Sequence, residues 1–269
     1  MGRKVAAIYD IADHYTMPAD QDCDHFVSHL ILSANKKLGN WDLKKPANRP
    51  IVTRGLGGTS KKAIKYCREN NYDFYNIDTG YIQRTSRKDY HRITKNAMQN
   101  LGPLVERDHD RLRKLKWQYR QHTPGNKILV VPPSTKAMNA HGESLDIWME
   151  TVLSQLKQNT SKEVVVRLKP TRTERTTNNT IYDAMNDAYC VVTHNSIAAT
   201  EALLYGVPAI ALAPNAATIF CNTSISEINN LYIPNLKDMT AFAAHLSYCQ
   251  FTGDEIKNGT AWRILHESS

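Results

Sequence analysis

Short apolar runs of strand length alternate along this chain with longer stretches whose apolar residues recur every three or four positions. Residues 4–10, 50–53, 74–77, 128–131, 163–168, 189–192 and 209–212 have strand character. Between them the spacing predicts helices over 24–35, 61–69, 103–119, 144–157 and 181–187, with others at 240–249 and 262–265. Regular alternation of strand and helix implies parallel sheets covered by helices, an α/β fold. The turn cluster Thr123-Pro124-Gly125-Asn126 marks a domain boundary. The expected organisation is a first domain over 1–125, a second over 126–250, and a segment over 251–269 packing back on the first.

The most informative stretch is 193–210, which begins Thr193-His194-Asn195-Ser196. It follows a buried strand, and Asn195 and Ser196 stand where they can cap a helix whose amides face the strand's end. Ala198 and Ala199 allow close approach to that helix start. Gly206 stops the helix, and Pro208 leads into the next strand. A helix N-terminus at the carboxyl end of a strand suits phosphate. Glu201 lies five residues beyond Ser196, about 7–8 Å at the helical rise, which is the separation of a diphosphate from the ribose hydroxyls. The plain alternative is an ordinary strand–helix–strand unit with a tight turn.

These residues resemble the donor half of glycosyltransferases with two facing Rossmann-like domains, the GT-B architecture. In that family the pattern Ser-x4-Glu-Ala-Leu-x2-Gly-x-Pro holds a nucleotide sugar, and it is met here from Ser196 to Pro208. The resemblance implies two Rossmann-like domains facing across a cleft. It puts the diphosphate at Ser196, with Asn195 beside it, and the ribose at Glu201. A UDP-sugar is the expected donor. A divalent metal is optional in such enzymes, and the absence of an Asp-x-Asp pair gives no indication of one.

Other strand ends add candidates. Arg167 and Lys169 flank Leu168 and alternate onto one face at the carboxyl end of 163–168, where cations can neutralise a leaving diphosphate or project into solvent. Ser134 and Lys136 follow the strand at 128–131 and can also reach the diphosphate. Transfer to a hydroxyl benefits from a general base. Asp78, at the end of 74–77, is the first choice, ahead of Asp10, His14, Asp24 and His25; a turn aspartate is the alternative. The plan also resembles phage DNA glucosyltransferases, in which a first-domain aspartate faces the donor sugar. Tyr81, Gly57 and Gly58 belong to loops suited to the sugar or acceptor, or to plain tight turns. The run Gly55-Leu56-Gly57-Gly58-Thr59-Ser60 misses both the dinucleotide and the Walker spacing.

Charge changes the picture of the acceptor. Between Arg84 and Lys127 there are twelve basic residues and four acidic ones, an excess equal to the whole net charge of +8. Arg84, Arg87, Lys88, Arg92, Arg107, Arg111 and Lys114 are the candidate DNA contacts, the last three on one face of the helix expected at 103–119. A solvated helix face and an anionic membrane surface are the other readings of this segment. Taken together, the expected function is transfer of a sugar from a UDP-sugar to a hydroxymethylated pyrimidine in double-stranded DNA, the base flipped out to be reached. The alternatives are a glycosyltransferase of surface polysaccharide or lipid-linked glycan, a nucleotide-sugar epimerase, and a non-catalytic nucleic-acid-binding protein. Five scattered cysteines with no C-x-x-C pair suit a reducing compartment. No apolar run approaches the length of a membrane span, and the first residues enter a strand instead of a signal peptide. A cytoplasmic monomer is therefore expected, in the host cytoplasm if the source is viral.

Overall fold

The computed structural model describes residues 51–56, 59–71, 73–82, 90–169 and 180–267. The strand expected at 4–10, the helix at 24–35 and the loop residues Gly57 and Gly58 lie outside the described residues, as do Arg84, Arg87 and Lys88. The chain forms two compact units, one of residues 1–100 with 246–269 and one of residues 101–245.

The described part of the first unit is a mixed four-stranded sheet. Strands β1 (Ile51–Arg54) and β2 (Phe74–Thr79) are parallel, joined by helix α1 (Thr59–Glu69), which lies against β1. Strand β3 (His91–Lys95) runs antiparallel to β2. The sequence pattern hides β3, because three successive residues, Arg92, Ile93 and Thr94, are buried and two of them are polar. They are satisfied locally: Thr94 Oγ1 donates to Ala97 O at 2.6 Å, and Arg92 Nη1 to Thr79 O at 2.7 Å. The fourth strand, β8 (Gln250–Phe251), comes from the far end of the chain and pairs antiparallel with β3. Its fully buried Gln250 accepts from the amides of Tyr81 and Ile82 at 2.6 and 2.9 Å.

The second unit carries an all-parallel sheet of β4 (Lys127–Val131), β5 (Glu163–Val166), β6 (Ala188–Thr193) and β7 (Ala209–Ala211), in the order β5-β4-β6-β7. The four strands match the expected runs to within two residues at each end. Alternate residues Ile128, Val130, Cys190, Val192 and Ile210 form one core face. Trp148, Val152 and Leu156 of helix α4 (Leu145–Asn159) pack on it, four residues apart on one stripe. Helix α6 (Ala198–Leu204) is buried at every position and packs against β6 and β7. The connection after β4 leads outward to β5, whereas that after β6 runs the other way, to β7. The sheet therefore has a switch point between β4 and β6, where open α/β sheets bind ligands beyond the carboxyl ends of their strands.

Segment 101–125, assigned from the turn cluster to the first domain, is part of the second unit. The long helix expected at 103–119 is the single short helix α2 (Asp110–Lys114). It buries Leu112 and Leu115, and the chain leaves it through Lys116 at φ +50, which no helix continues. The following residues then cap α6 from outside. Trp117 Nε1 donates to Leu204 O at 3.2 Å, and His122 Nδ1 lies 2.9 Å from Gly206 O. Tyr119 Oη donates to Pro234 O, and the Arg120 guanidinium stacks 4.2 Å from the Tyr205 ring centroid. The Trp117 bond satisfies a carbonyl that a helix end leaves orphaned.

Helix α6 itself ends in a Schellman turn. Val207 N donates to Ala202 O at 2.9 Å and Gly206 N to Leu203 O at 3.0 Å, with Gly206 at φ +79. A Cβ at 206 would stand 2.2 Å from Arg120 O. Gly142 has a nearly equal φ of +76 and open space around it. Gly142→Ala is therefore expected to cost about 1 kcal/mol and Gly206→Ala about 2 kcal/mol or more, read as the shift in urea midpoint at unchanged slope.

Candidate functional site

The sheet order brings three predicted groups to one edge of the second unit. Arg167 and Lys169 follow β5, Ser134 and Lys136 follow β4, and Asn195, Ser196 and Glu201 follow β6. These three strands are adjacent and parallel, so their carboxyl ends form one row. Arg167 extends the ladder by one bond, its amide donating to Val130 O at 2.8 Å. Ser134 is the N-cap of helix α3 (Thr135–His141), its hydroxyl accepting from Ala137 N at 3.3 Å.

Around Ser196 the geometry departs from the expected cap. Helix α6 starts at Ala198 with Ile197 as its N-cap, so neither Asn195 nor Ser196 holds that position. Ser196 Oγ accepts from Ala198 N at 3.3 Å, which leaves its own hydroxyl proton for another acceptor. The later start puts Glu201 in the first turn of the helix, where free amides favour a negative charge. Glu201 is only 6 % exposed, whereas Ser196 is half-buried.

Two buried residues that the sequence analysis did not single out complete this edge. Asn215, with no exposed surface, donates from Nδ2 to Ser196 O at 2.7 Å and accepts at Oδ1 from Ala217 N at 3.0 Å and Thr200 Oγ1 at 3.4 Å. It pins the loop after β7 to the loop after β6. The signal available was Asn after Pro214, a capping residue at a strand exit. His194, the first residue beyond β6, is 4 % exposed, and its Nε2 lies 3.2 Å from Glu143 Oε2. The rings of His141 and Trp148 stand edge-on to it, with centroids at 5.4 and 6.2 Å. Asn195 meets His141 through its side-chain amide.

Three of the described thiols are poor nucleophiles. Burial pushes Cys67 up to about 11 and Cys190 and Cys221 up to about 12, so all three stay protonated at neutral pH. Among the described residues no group of three or more His, Cys, Asp or Glu side chains is placed to hold a metal ion, and no helix is long and apolar enough to cross a membrane.

No protein-family model matches this chain, and no curated protein does. Among solved structures it is similar to the Thermosulfurimonas dismutans KpsC, beta Kdo 2,4 transferase, at a TM-score of 0.45 and 13 % identity over 80 % of this chain and 85 % of that one.

In the first unit the predicted residues serve the fold. Asp78 faces Arg92 in register across β2 and β3, and the two form an ion pair at 3.0 Å. Its other oxygen accepts from Thr79 N at 2.7 Å. Both oxygens of Asp78 are thus engaged within the unit, while the side chain keeps 37 % of its surface exposed. Arg92, 7 % exposed, also donates to Thr79 O and to Met98 O, so this predicted DNA contact is internal. Tyr81 is buried, not in an open loop: its hydroxyl accepts from Asn100 N at 2.7 Å, and burial pushes its ionisation well above the ordinary value. Gly80 is needed for the protein's own packing, since a Cβ there would meet Gln250 Oε1 and Tyr90 Cβ at 2.9 Å.

Of the remaining predicted DNA contacts, Arg111 is buried, Arg107 is half-buried and Lys114 is exposed beside Arg113 and Lys116. Removing Arg92 strands a carboxylate and two carbonyls. Arg92→Ala is expected to lower stability by about 2–4 kcal/mol, and Asp78→Asn, at a carboxylate 37 % exposed, by about 1 kcal/mol, both read from urea unfolding.

Proposed function

We propose that the protein is a glycosyltransferase of the GT-B type whose second unit binds a nucleotide-sugar donor at the carboxyl edge of its parallel sheet. The observation that carries this reading is the buried carboxylate of Glu201 in the first turn of α6, beside the half-buried hydroxyl of Ser196 and at the switch point of the sheet. The two groups suit the two polar parts of a nucleotide. A hydroxyl with a proton to give serves a phosphate oxygen, and a desolvated carboxylate accepts strong bonds from vicinal ribose hydroxyls. Arg167 and Lys169, two strands further along the row, would supply positive charge for a departing diphosphate. UDP-glucose is the first donor to try.

For the acceptor we propose a polyanion, with a hydroxymethylated pyrimidine in DNA as its first candidate. Support comes from the exposed cluster Arg113 and Lys114, at the end of α2, and Lys116 just beyond it. Three phosphate contacts would give a slope of about −3 in log affinity against log salt, roughly fortyfold between 50 and 200 mM. Replacing all three with Gln is expected to abolish that slope. Absence of DNA binding at low salt would remove DNA as acceptor and leave a glycan in its place.

The donor site is tested separately. UDP or UDP-glucose at a hundredfold excess over its Kd is expected to stabilise the protein by about 2.7 kcal/mol, roughly 5–10 °C in Tm. Glu201→Gln keeps the shape but weakens acceptance from the ribose, with an expected loss of about tenfold or more in affinity in a variant whose circular dichroism matches the wild type. A wild-type Tm indifferent to every nucleotide in a panel would refute the donor site.

A further inference from the structure

Strand β5 is the edge of its sheet, and among the described residues no strand pairs with the side of it that faces away from β4. The amide of Arg167 donates inward to Val130 O, so by the alternation of a strand the amides and carbonyls of Val164, Val166 and Leu168 point to the open side. The side chains of these three lie on the face that α4 covers, since Val164 packs against the core there. On that face Val166 is 38 % exposed and Leu168 69 %. Glu163, Val165, Arg167 and Lys169 take the opposite face. Lys169 precedes Pro170, a position that favours extended backbone. Beside the strand, Leu153 of α4 and Val164 line an open depression of about 750 Å³ that continues along residues 157–162. An apolar edge with open backbone groups is a template for another strand.

We propose that this edge pairs antiparallel with the same edge of a second copy of the chain, about a twofold axis at Val166. The segment Glu163-Val164-Val165-Val166-Arg167-Leu168-Lys169 is complementary to itself in that register. Glu163 stands opposite Lys169 of the second copy, Val164 opposite its Leu168, and Val166 opposite its own counterpart. The apolar pairs fall on the face of α4 and both ion pairs on the other face. The outward-pointing residues meet as hydrogen-bonded pairs, each exchanging both of its backbone bonds. Leu168, exposed in a single copy, then stands over Val164 of the other and enters the depression beside Leu153. Glu163 lies 4.0 Å from Lys127 Nζ in its own sheet, a surface pair that costs little to share. Arg167 faces Val165 of the second copy, so the pairing sets no carboxylate against it. The two four-stranded sheets become one continuous sheet whose carboxyl edges point in opposite directions. Each copy therefore keeps its own donor edge, and the pairing is independent of the donor-site reading. It departs from the monomer expected from the sequence.

The test is sedimentation equilibrium of the full chain, joined to cross-linking through an introduced cysteine. The wild type is expected to dimerise with a Kd of about 10 µM. Val166→Cys is expected to give a disulfide-linked dimer under mild oxidation that the wild type does not give, because the Cα atoms of a hydrogen-bonded antiparallel pair lie about 5.5 Å apart, within disulfide reach. Glu163→Lys sets like charges opposite each other at both ends of the pairing, as does Lys169→Glu. Each is expected to weaken the dimer about tenfold or more, and the double variant Glu163→Lys/Lys169→Glu to restore it. A wild type that stays monomeric at about 0.1 mM would overturn the proposal, as when another segment of the chain covers the edge. So would a dimer indifferent to both single charge reversals, one that Val166→Cys fails to link, or a double variant as weak as the singles. Binding of UDP-glucose by a strictly monomeric wild type refutes the pairing alone and leaves the donor site standing.

Discussion

The pairing of β4 with β6 is the constraint on which the candidate site depends. Five residues of β4 pair in parallel with β6, and the last pair, Val131 with Thr193, is fastened by the Thr193 hydroxyl donating to Val131 O at 2.6 Å. That bond fixes where two loops leave the sheet. Pro132-Pro133-Ser134 exits one strand and His194-Asn195-Ser196 the other, and the crossovers beyond them diverge. Asn215 repeats the device one strand over, where its three bonds tie the exit of β7 to Ser196. The row of loops is thus positioned by buried hydrogen bonds, which are costly to break and specific in direction. Rigid loop ends on a sheet edge are the kind of support a binding constellation needs.

The second unit was the more legible in the sequence. Its strands are continuous apolar runs because both faces of a parallel sheet are covered, and α4 declares its stripe through Trp148, Val152 and Leu156. Gly206 identified the end of α6, and its φ and its contact with Arg120 give the reason. The start of α6 was less legible. Both Asn195 and Ser196 are good caps, but Asn195 is turned to His141 and Ser196 accepts one residue too early, which leaves Ile197 at the helix entry. Strand β3 was hidden for the opposite reason to β6: its interior holds a guanidinium paired with Asp78 on β2 and a hydroxyl bonded to Ala97 just beyond the strand, polar groups that an apolar pattern does not record. The helix expected over 103–119 failed because leucine spacing alone does not reveal that the backbone turns left-handed at Lys116.

Charge along a chain is also not charge on a surface. The segment with the basic excess supplies Arg92 to the interior of the first unit, Arg111 to that of the second and Arg120 to the face of Tyr205. What it leaves in solvent around α2 is three cations, Arg113, Lys114 and Lys116. Electrostatic attraction to a polyanion scales with the cations that reach its phosphates. The relevant number is therefore the exposed cluster and not the net charge.

The carboxylates of the two units differ in what surrounds them. Asp78 is opposed in register to a guanidinium, so its charge is balanced by the fold whether or not any ligand is present. Glu201 is more deeply buried, and its place in the first turn of α6 lets the free amides of the helix offset part of its desolvation. Those amides act on an anion close to them and weaken with distance. A diphosphate placed beside the same carboxylate would be repelled by it, so a cation on the far side of Ser196 would be needed to make the edge attractive to phosphate.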